Sequence, residues 1–361
     1  MSAPRTLTLN GSPRKMGLAH GHACGDAIRR YTAGRVALAG SETWAGHAMD
    51  RAAVLALATG CLDAHHDYAP DLMIELEGIA EATGLSPAEL IITNGFTDFI
   101  DFAHSRGGGD DATECVEDDC TAFIVPDHLG IDGHGWFGQT WDMHAGSAPF
   151  VILLQARPDH SPGFIAFSLT GCLGMIGMND AGIAIGINNL LGAEGQAGVS
   201  WPFVVRKALQ QTDIDAASAC VTGAVLMGAH NFMLFDRHGH GINIEAMPGH
   251  CQVTHSGQAA LVHTNHCLAP DTLCRCRPRP PASQASSEAR LSRAQALLEQ
   301  TPITTEALIA LTRDPVICVR AAPPLDMQTC GAAIMQPAKG MLWVAQGLPS
   351  ENGYAAFGPE K

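Results

Sequence analysis

The sequence predicts an α+β fold in which a helical first third precedes a strand-rich body. Three observations support this: residues 15–104 carry helical signals, the hydrophobic period shortens from residue 121, and the strands that follow fall into two groups with helices between them. Runs of strands, then helices, then strands suit a layered α+β body better than βαβ units, whose strands and helices alternate. No internal repeat breaks this order.

Residues 16–31 predict a first helix, with Leu18, Ala23, Ala27 and Ile28 forming an apolar face. Residues 48–65, rich in Ala and Leu, predict a second. Residues 71–82 predict a third, with Leu72, Ile74, Leu76 and Ile79 set among carboxylates. Ser86-Pro87-Ala88-Glu89 has the spacing of a capping box with proline at the first helical position, so a fourth helix starts there. The run Arg106-Gly107-Gly108-Gly109-Asp110-Asp111 is a polar breaker. Beyond it, residues 122–125, 150–155, 163–168, 175–178 and 183–187 read as strands between Gly, Pro, Asn or Asp turns. Residues 201–211 and 215–225 predict helices, and 231–235, 241–245 and 260–263 further strands. Residues 270–287, rich in Pro, Arg and Ser, predict an exposed loop. Helices at 288–299 and 305–312 and a hairpin of 330–336 with 341–346 complete the chain.

With 361 residues, 46% of them hydrophobic, the chain can bury a substantial core. Its net charge of −15, from 21 Lys+Arg against 36 Asp+Glu, argues against a nucleic-acid or anionic-membrane partner, because phosphate binding needs a basic surface. The first residues lack the apolar core of a secretory signal, and no run of about 18 apolar residues could span a bilayer. A cytoplasmic location is expected. In a reducing compartment most of the 12 cysteines should be small buried hydrophobes. Cys274 with Cys276, and His263 with His266 and Cys267, are the two groupings that could suggest a metal. Neither contains a C-x-x-C pair, so no metal and no cofactor is expected.

The chemistry centres on Asp118-Asp119-Cys120-Thr121-Ala122-Phe123, where the helical pattern gives way to strands. A Cys-Thr pair opening a strand at such a junction is what a buried N-terminal nucleophile needs. A free thiol, with a pKa near about 8.5, is mostly protonated at neutral pH, whereas an α-amino group at roughly 7.7–8.0 accepts a proton readily. Cleavage between Asp119 and Cys120 would place both groups on one residue. The cut would proceed by attack of the Cys120 sulfur on the Asp119 carbonyl, giving a thioester that water resolves. Each residue also has a plainer reading. Cys120 could be a buried cysteine, Asp142 could cap a turn, Asn265 could sit in a turn between strands, and Thr121 could simply favour strand geometry.

Several short motifs recur in a characteristic order. They are Gly11-Ser12-Pro13-Arg14-Lys15-Met16-Gly17 with His20-Gly21, Cys120-Thr121, and Gly138-Gln139-Thr140-Trp141-Asp142. Gly177-Met178-Asn179-Asp180-Ala181-Gly182 with Asn188, His263-Thr264-Asn265-His266, and the spacing Ser287-x-x-Arg290-x-x-Arg293 follow. In these the chain resembles the isopenicillin N acyltransferases and their bacterial relatives, autoproteolytic N-terminal-nucleophile enzymes. The resemblance implies a four-layer αββα sandwich, with residues 1–119 and 120–361 as the two products of self-cleavage within one composite domain. It implies Cys120 as nucleophile with its own amine as base, and Asn265 as an amide donor to the oxyanion. Asp142 would orient the Cys120 ammonium and aid self-cleavage. Arg290 would hold either a substrate carboxylate or the C-terminal helix, the second being preferred. Thr121, Trp141, Asn188 and His263 are supporting positions, the histidine in a structural role.

Two departures stand out. Asp119 occupies the position before the cut where the fungal acyltransferase has glycine. The family segment Asn-Ala-Arg-Thr-Glu appears as Asn94-Gly95-Phe96-Thr97-Asp98, so Phe96 replaces a cation and a less polar pocket or a different substrate is expected. The function expected is hydrolysis of a linear or cyclic carboxamide through a thioester on Cys120. Acyl transfer from coenzyme A or an amide to an amine is the alternative within the class. A different class, an uncleaved ligand- or metal-binding relative, is suggested by the 17 His and 12 Cys. The expected partners are a small-molecule amide and the chain's own cleaved N-terminal fragment, with further homo-oligomer formation left open.

Overall fold

In the first residues Leu7 and Leu9 are buried while Thr6 and Thr8 are exposed, the period-two pattern of a strand. The computed structural model, which describes residues 4–107, 120–323 and 326–358, shows that strand as β1 (Arg5–Gly11), paired in parallel with a strand some 150 positions later. The helical signals of the sequence cover residues 15–104; ahead of them the chain also supplies an edge strand to the main body. Asp119, Asp118 and residues 108–111 of the expected breaker lie outside the described residues.

The helices that follow are longer or more divided than expected. Ser12 caps a 27-residue helix, Pro13–Ala39, whose first residue is a proline. The expected second helix breaks at Gly60-Cys61 into Arg51–Thr59, capped by Asp50, and Leu62–Tyr68. Pro70–Thr83 ends at Gly84 in the left-handed conformation. The Ser86/Glu89 capping box is formed and starts Pro87–Asn94, after which Phe96–Gly107 adds a further helix. Pro13–Ala39 and Pro70–Thr83 touch backbone to backbone, because a Cβ on Gly17 would lie 1.9 Å from the Glu75 carbonyl oxygen.

The remaining strands are β2 (Thr121–Val125), β3 (Trp136–His144), β4 (Val151–Pro158), β5 (Phe164–Leu169), β6 (Ile176–Asn179) and β7 (Ile183–Asn189). They continue as β8 (His230–Asp236), β9 (Gly241–Met247), β10 (His250–His255), β11 (Leu261–His263), β12 (Met327–Gln336), β13 (Met341–Gln346) and β14 (Ala355–Phe357). One sheet has the order β1-β4-β5-β6-β7-β8-β9-β10 and the other β11-β2-β3-β12-β13-β14. Their inner faces meet in a single apolar core that includes Ile124, Phe137, Phe167, Ile185 and Phe232. Helices Pro281–Leu298 and Thr305–Arg313 cover the outer face of the smaller sheet, through a second cluster holding Phe123, Val125, Ala294, Leu298, Leu308 and Ile334. Helices Trp201–Ala208 and Ile214–Thr222 lie on the other side with the N-terminal helices. The layers are thus helix, sheet, sheet, helix.

Residues 281–287, expected to be part of an exposed loop, already belong to Pro281–Leu298, and Pro270–Leu273 forms a short helix. Pro281 needs no amide hydrogen at the first helical position, so its ring starts the helix rather than blocking it. That earlier start has a consequence for the site, because it places Ser287 and Arg290 on one face of a regular helix.

Candidate active site

Cys120 sits immediately before β2 and is 2% exposed. Antiparallel pairing of β2 with β3 brings it beside Asp142, whose backbone N–H donates to the Cys120 sulfur at 3.3 Å. Opposite Trp141 and Asp142 the register of β12 slips between Thr329 and Gly331, a local bulge of the kind that re-aims side chains. Trp141 and Asp142 are both buried there. The Thr121 N–H donates to the Thr140 hydroxyl at 3.1 Å.

The segment after β11 is held by the helix Pro281–Leu298. Ser287 and Arg290, three positions apart, share one helical face. The Asn265 N–H donates to the Ser287 hydroxyl at 3.0 Å, and one Arg290 nitrogen donates to the Asn265 side-chain oxygen at 3.0 Å. The other terminal nitrogen of Arg290 donates to the Cys120 carbonyl at 2.7 Å and to the Thr121 hydroxyl at 3.2 Å. The Asn265 amide nitrogen donates in turn to the Asn189 carbonyl at 3.2 Å. Arg293, the next residue of the spacing, pairs instead with Asp314 at 2.7 Å. Cys120, Thr121, Asn265 and Arg290 thus form one hydrogen-bonded set, with Trp141 and Asp142 on the adjoining strand.

Asn188, on β7, is fully buried, with Asn231 opposite it donating at 3.5 Å; it is the next residue, Asn189, that meets Asn265. His263 is tied elsewhere: its ring bonds the Glu245 carboxylate at 2.9 Å and the Thr264 carbonyl at 2.8 Å. Burial opposes charge on Glu245, but hydrogen bonds from His263, Thr272 and the Leu268 N–H outweigh it and hold the carboxyl down at about 2. His263 and Glu245 together anchor the loop that carries Asn265.

A small cavity of about 30 Å³ opens beside Cys120. Tyr31, Phe96, Trp141, Leu169, Met175 and Trp201 give it a largely apolar wall. Its polar groups besides Asp142 and Asn189 include Thr97 and His230, whose hydroxyl and ring nitrogen are 3.2 Å apart. Tyr31, Trp201 and His230 carry no site signal in the sequence, because they converge from three distant elements; only the Asn94–Asp98 segment, with Phe96 and Thr97, pointed at this wall. Phe96 removes one cation from it, yet Arg35 lies 4.8 Å from the Phe96 ring centre and 4.9 Å from that of Tyr31, so a buried guanidinium stands behind the apolar surface. Among the described residues no cluster of three or more His, Cys, Asp or Glu side chains is placed to hold a metal, and no helix is long and apolar enough to cross a membrane.

The family model described as "Acyl-coenzyme A:6-aminopenicillanic acid acyl-transferase" matches residues 130–350. The chain is similar to the acyl-coenzyme A:6-aminopenicillanic-acid-acyltransferase 40 kDa form of Emericella nidulans, at 25% identity over 197 residues covering 54% of this chain and 51% of the relative. It therefore spans about half the length of that curated relative. Among solved structures it is similar to a conjugated bile acid hydrolase from Clostridium perfringens, with a TM-score of 0.45 and 11% identity over 66% of this chain and 92% of that one. It is also similar to a penicillin V acylase from Agrobacterium tumefaciens, with a TM-score of 0.44 and 14% identity over 63% and 82%. On the family match, which covers more than half of its residues, the chain belongs to the acyl-coenzyme A:6-aminopenicillanic acid acyl-transferase family.

Proposed function

We propose that this chain is a self-cleaving amide hydrolase that uses Cys120 as its N-terminal nucleophile. The observation that carries the reading is the shared grip of Arg290 on the Cys120 carbonyl and the Asn265 side chain, with Cys120 itself on the wall of a largely apolar cavity. It sets a buried thiol and an amide donor in fixed register, which is what attack on a carbonyl requires.

In maturation the Cys120 sulfur attacks the Asp119 carbonyl, the peptide nitrogen leaves as the new α-amine, and water hydrolyses the thioester. The products are residues 1–119 and 120–361, held together as a heterodimer by the core they share. In turnover the freed amine takes the thiol proton and the thiolate adds to the substrate carbonyl. One amide hydrogen of Asn265 is used on Asn189, so the other can meet the oxyanion. Losing such a donor typically costs about 2.7–4 kcal/mol in the transition state. The ammonium, oriented by Asp142, returns its proton to the leaving amine. Water then attacks the thioester, releasing the acid and restoring the thiol.

The aromatic and aliphatic wall suits an apolar acyl group, and Thr97 with His230 offers it one polar contact. The name of the Emericella nidulans relative favours a second reading, transfer of the acyl group from a coenzyme A thioester to an amine. A panel of apolar acyl anilides, with aniline release as readout and quenched-flow mass spectrometry of the peptide beginning at Cys120, tests the proposal. Aniline release in step with acylation of Cys120, followed by release of the acid, is expected. Turnover with no acyl adduct on Cys120 would rule the mechanism out, and acid formation only when an acceptor amine is supplied would favour transfer.

A further inference from the structure

Two cysteines read separately from the sequence lie side by side in the fold. Cys267 is buried two residues beyond Asn265, and Cys276 is half-buried after the short helix Pro270–Leu273. Their sulfur atoms are 3.0 Å apart. The backbone that brings them together is fixed from several sides. Glu245 accepts hydrogen bonds from the Leu268 N–H at 2.6 Å, the Ala269 N–H at 3.3 Å and the Thr272 hydroxyl. The Arg277 N–H donates to the Leu191 carbonyl at 2.9 Å, and its side chain donates to Asp101 at 2.5 Å. Leu190, Ala229 and Met247 enclose Cys267 on its apolar side.

We propose that Cys267 and Cys276 are a modification site, a dithiol that a peroxide closes to a disulfide, stapling the loop that carries Asn265. The Cys276 sulfur, the more accessible of the two, attacks one peroxide oxygen; the O–O bond breaks, hydroxide leaves and a sulfenic acid remains. The Cys267 sulfur then attacks that sulfur and the S–OH oxygen departs as water. Overall, two thiols and one peroxide give one disulfide and two waters, sulfur losing the two electrons that oxygen gains. The hydrogen bond to Cys276, and then burial, raise the Cys267 thiol, while the same bond favours the Cys276 thiolate. That ordering suits Cys276 as the first sulfur to react.

Closure needs the sulfurs to approach by about 1 Å, to the usual bond length of about 2.05 Å. Asn265 is restrained by Ser287, Arg290, Arg279 and Asn189, so the movement falls on the half-exposed Cys276 side. The nearby Cys274 is exposed and donates to the Asp271 carbonyl at 3.3 Å, which makes it the competitor to exclude.

The test uses the full chain, reduced, then treated with one equivalent of hydrogen peroxide, alkylated and digested. A peptide linking Cys267 to Cys276, about 2 Da lighter than the pair of free thiols and released by dithiothreitol, is expected. It should persist in Cys274→Ser and vanish in Cys276→Ser. An upward shift of the thermal midpoint on the order of 3 °C should accompany it in the wild type and be absent in Cys276→Ser. Full alkylation of Cys267 and Cys276 while other thiols oxidise, or a link through Cys274 instead, would overturn the proposal. Both readouts are independent of amide turnover.

Discussion

Arg290 donates one hydrogen bond to the backbone carbonyl of Cys120, at 2.7 Å, from a helix 170 residues further along the chain. Its other terminal nitrogen holds Asn265 at 3.0 Å, so one planar guanidinium fixes the distance between the two sides of the candidate site. A guanidinium presents its donors in a rigid fork, which an ammonium cannot copy.

Replacing Arg290 by methionine should therefore disturb stability and activity together. It leaves the Cys120 carbonyl and the Asn265 side-chain oxygen without this donor in a buried setting, at a cost of about 3 kcal/mol in total. Displacement of Cys120 relative to Asn265 should lower acylation of Cys120 on the order of 100-fold. Arg290→Lys, which keeps the charge but reaches only one partner, should recover part of the stability and little of the rate. Urea unfolding midpoints and acylation kinetics of the two variants check this.

The apolar wall makes a second prediction. Phe96→Arg restores the residue type that the family segment carries, but Arg35 already lies against the Phe96 ring and bonds Ser147 at 3.0 Å. A second buried guanidinium there would meet the like charge of the first. The variant should lose on the order of 3 kcal/mol, following the cost of an uncompensated buried charge. Phe96→Leu should lose about 1–2 kcal/mol through packing alone. Thermal or urea unfolding of both variants separates charge from volume.

Acid sensitivity should come first from two histidines outside the site. Burial pushes His20 down to about 4, with Arg5 and Arg206 adding to the effect, and burial also pushes His65 down to about 4. Each uses a ring nitrogen as acceptor: His20 for the Gly171 N–H and His65 for the Ser200 N–H, both at 3.0 Å. Protonation removes that acceptor. Because both folded values lie below the unfolded value of about 6.5, the unfolded chain binds protons first. The stability is fully present above about pH 6.5 and is lost as the pH falls toward about 4. At pH 5 each histidine should cost about 2 kcal/mol relative to pH 7.5. His20→Gln keeps an acceptor without the titration, so its urea midpoint should fall by about half as much across the same interval. An unchanged slope in His20→Gln would remove His20 from this account.

Local signals carried much of this structure and non-local ones did not. The Ser86/Glu89 box, the helices near residues 71–82 and 305–312, and the closing hairpin follow from capping, period and turn chemistry that each segment holds by itself. Strand β1 also has its alternation in Leu7 and Leu9, but its partner is a distant strand, and nothing local distinguishes it from a leader to the first helix. The Ser287-Arg290-Arg293 spacing was visible as a pattern, whereas its division of labour depends on what faces the helix: Asn265 for the first two and Asp314 for the third. Thr97 carried a signal only through the Asn94–Asp98 segment and His230 carried none, since a threonine and a histidine 133 residues apart become neighbours only in the folded chain.

The most direct measurement for the central claim is the intact mass and N-terminal sequence of the purified protein beside its Cys120→Ala variant. Two chains are expected for the wild type, one of them beginning Cys120-Thr121, and a single undivided chain for the variant. A wild-type chain that is continuous through Asp119-Cys120 and still hydrolyses amides would contradict it.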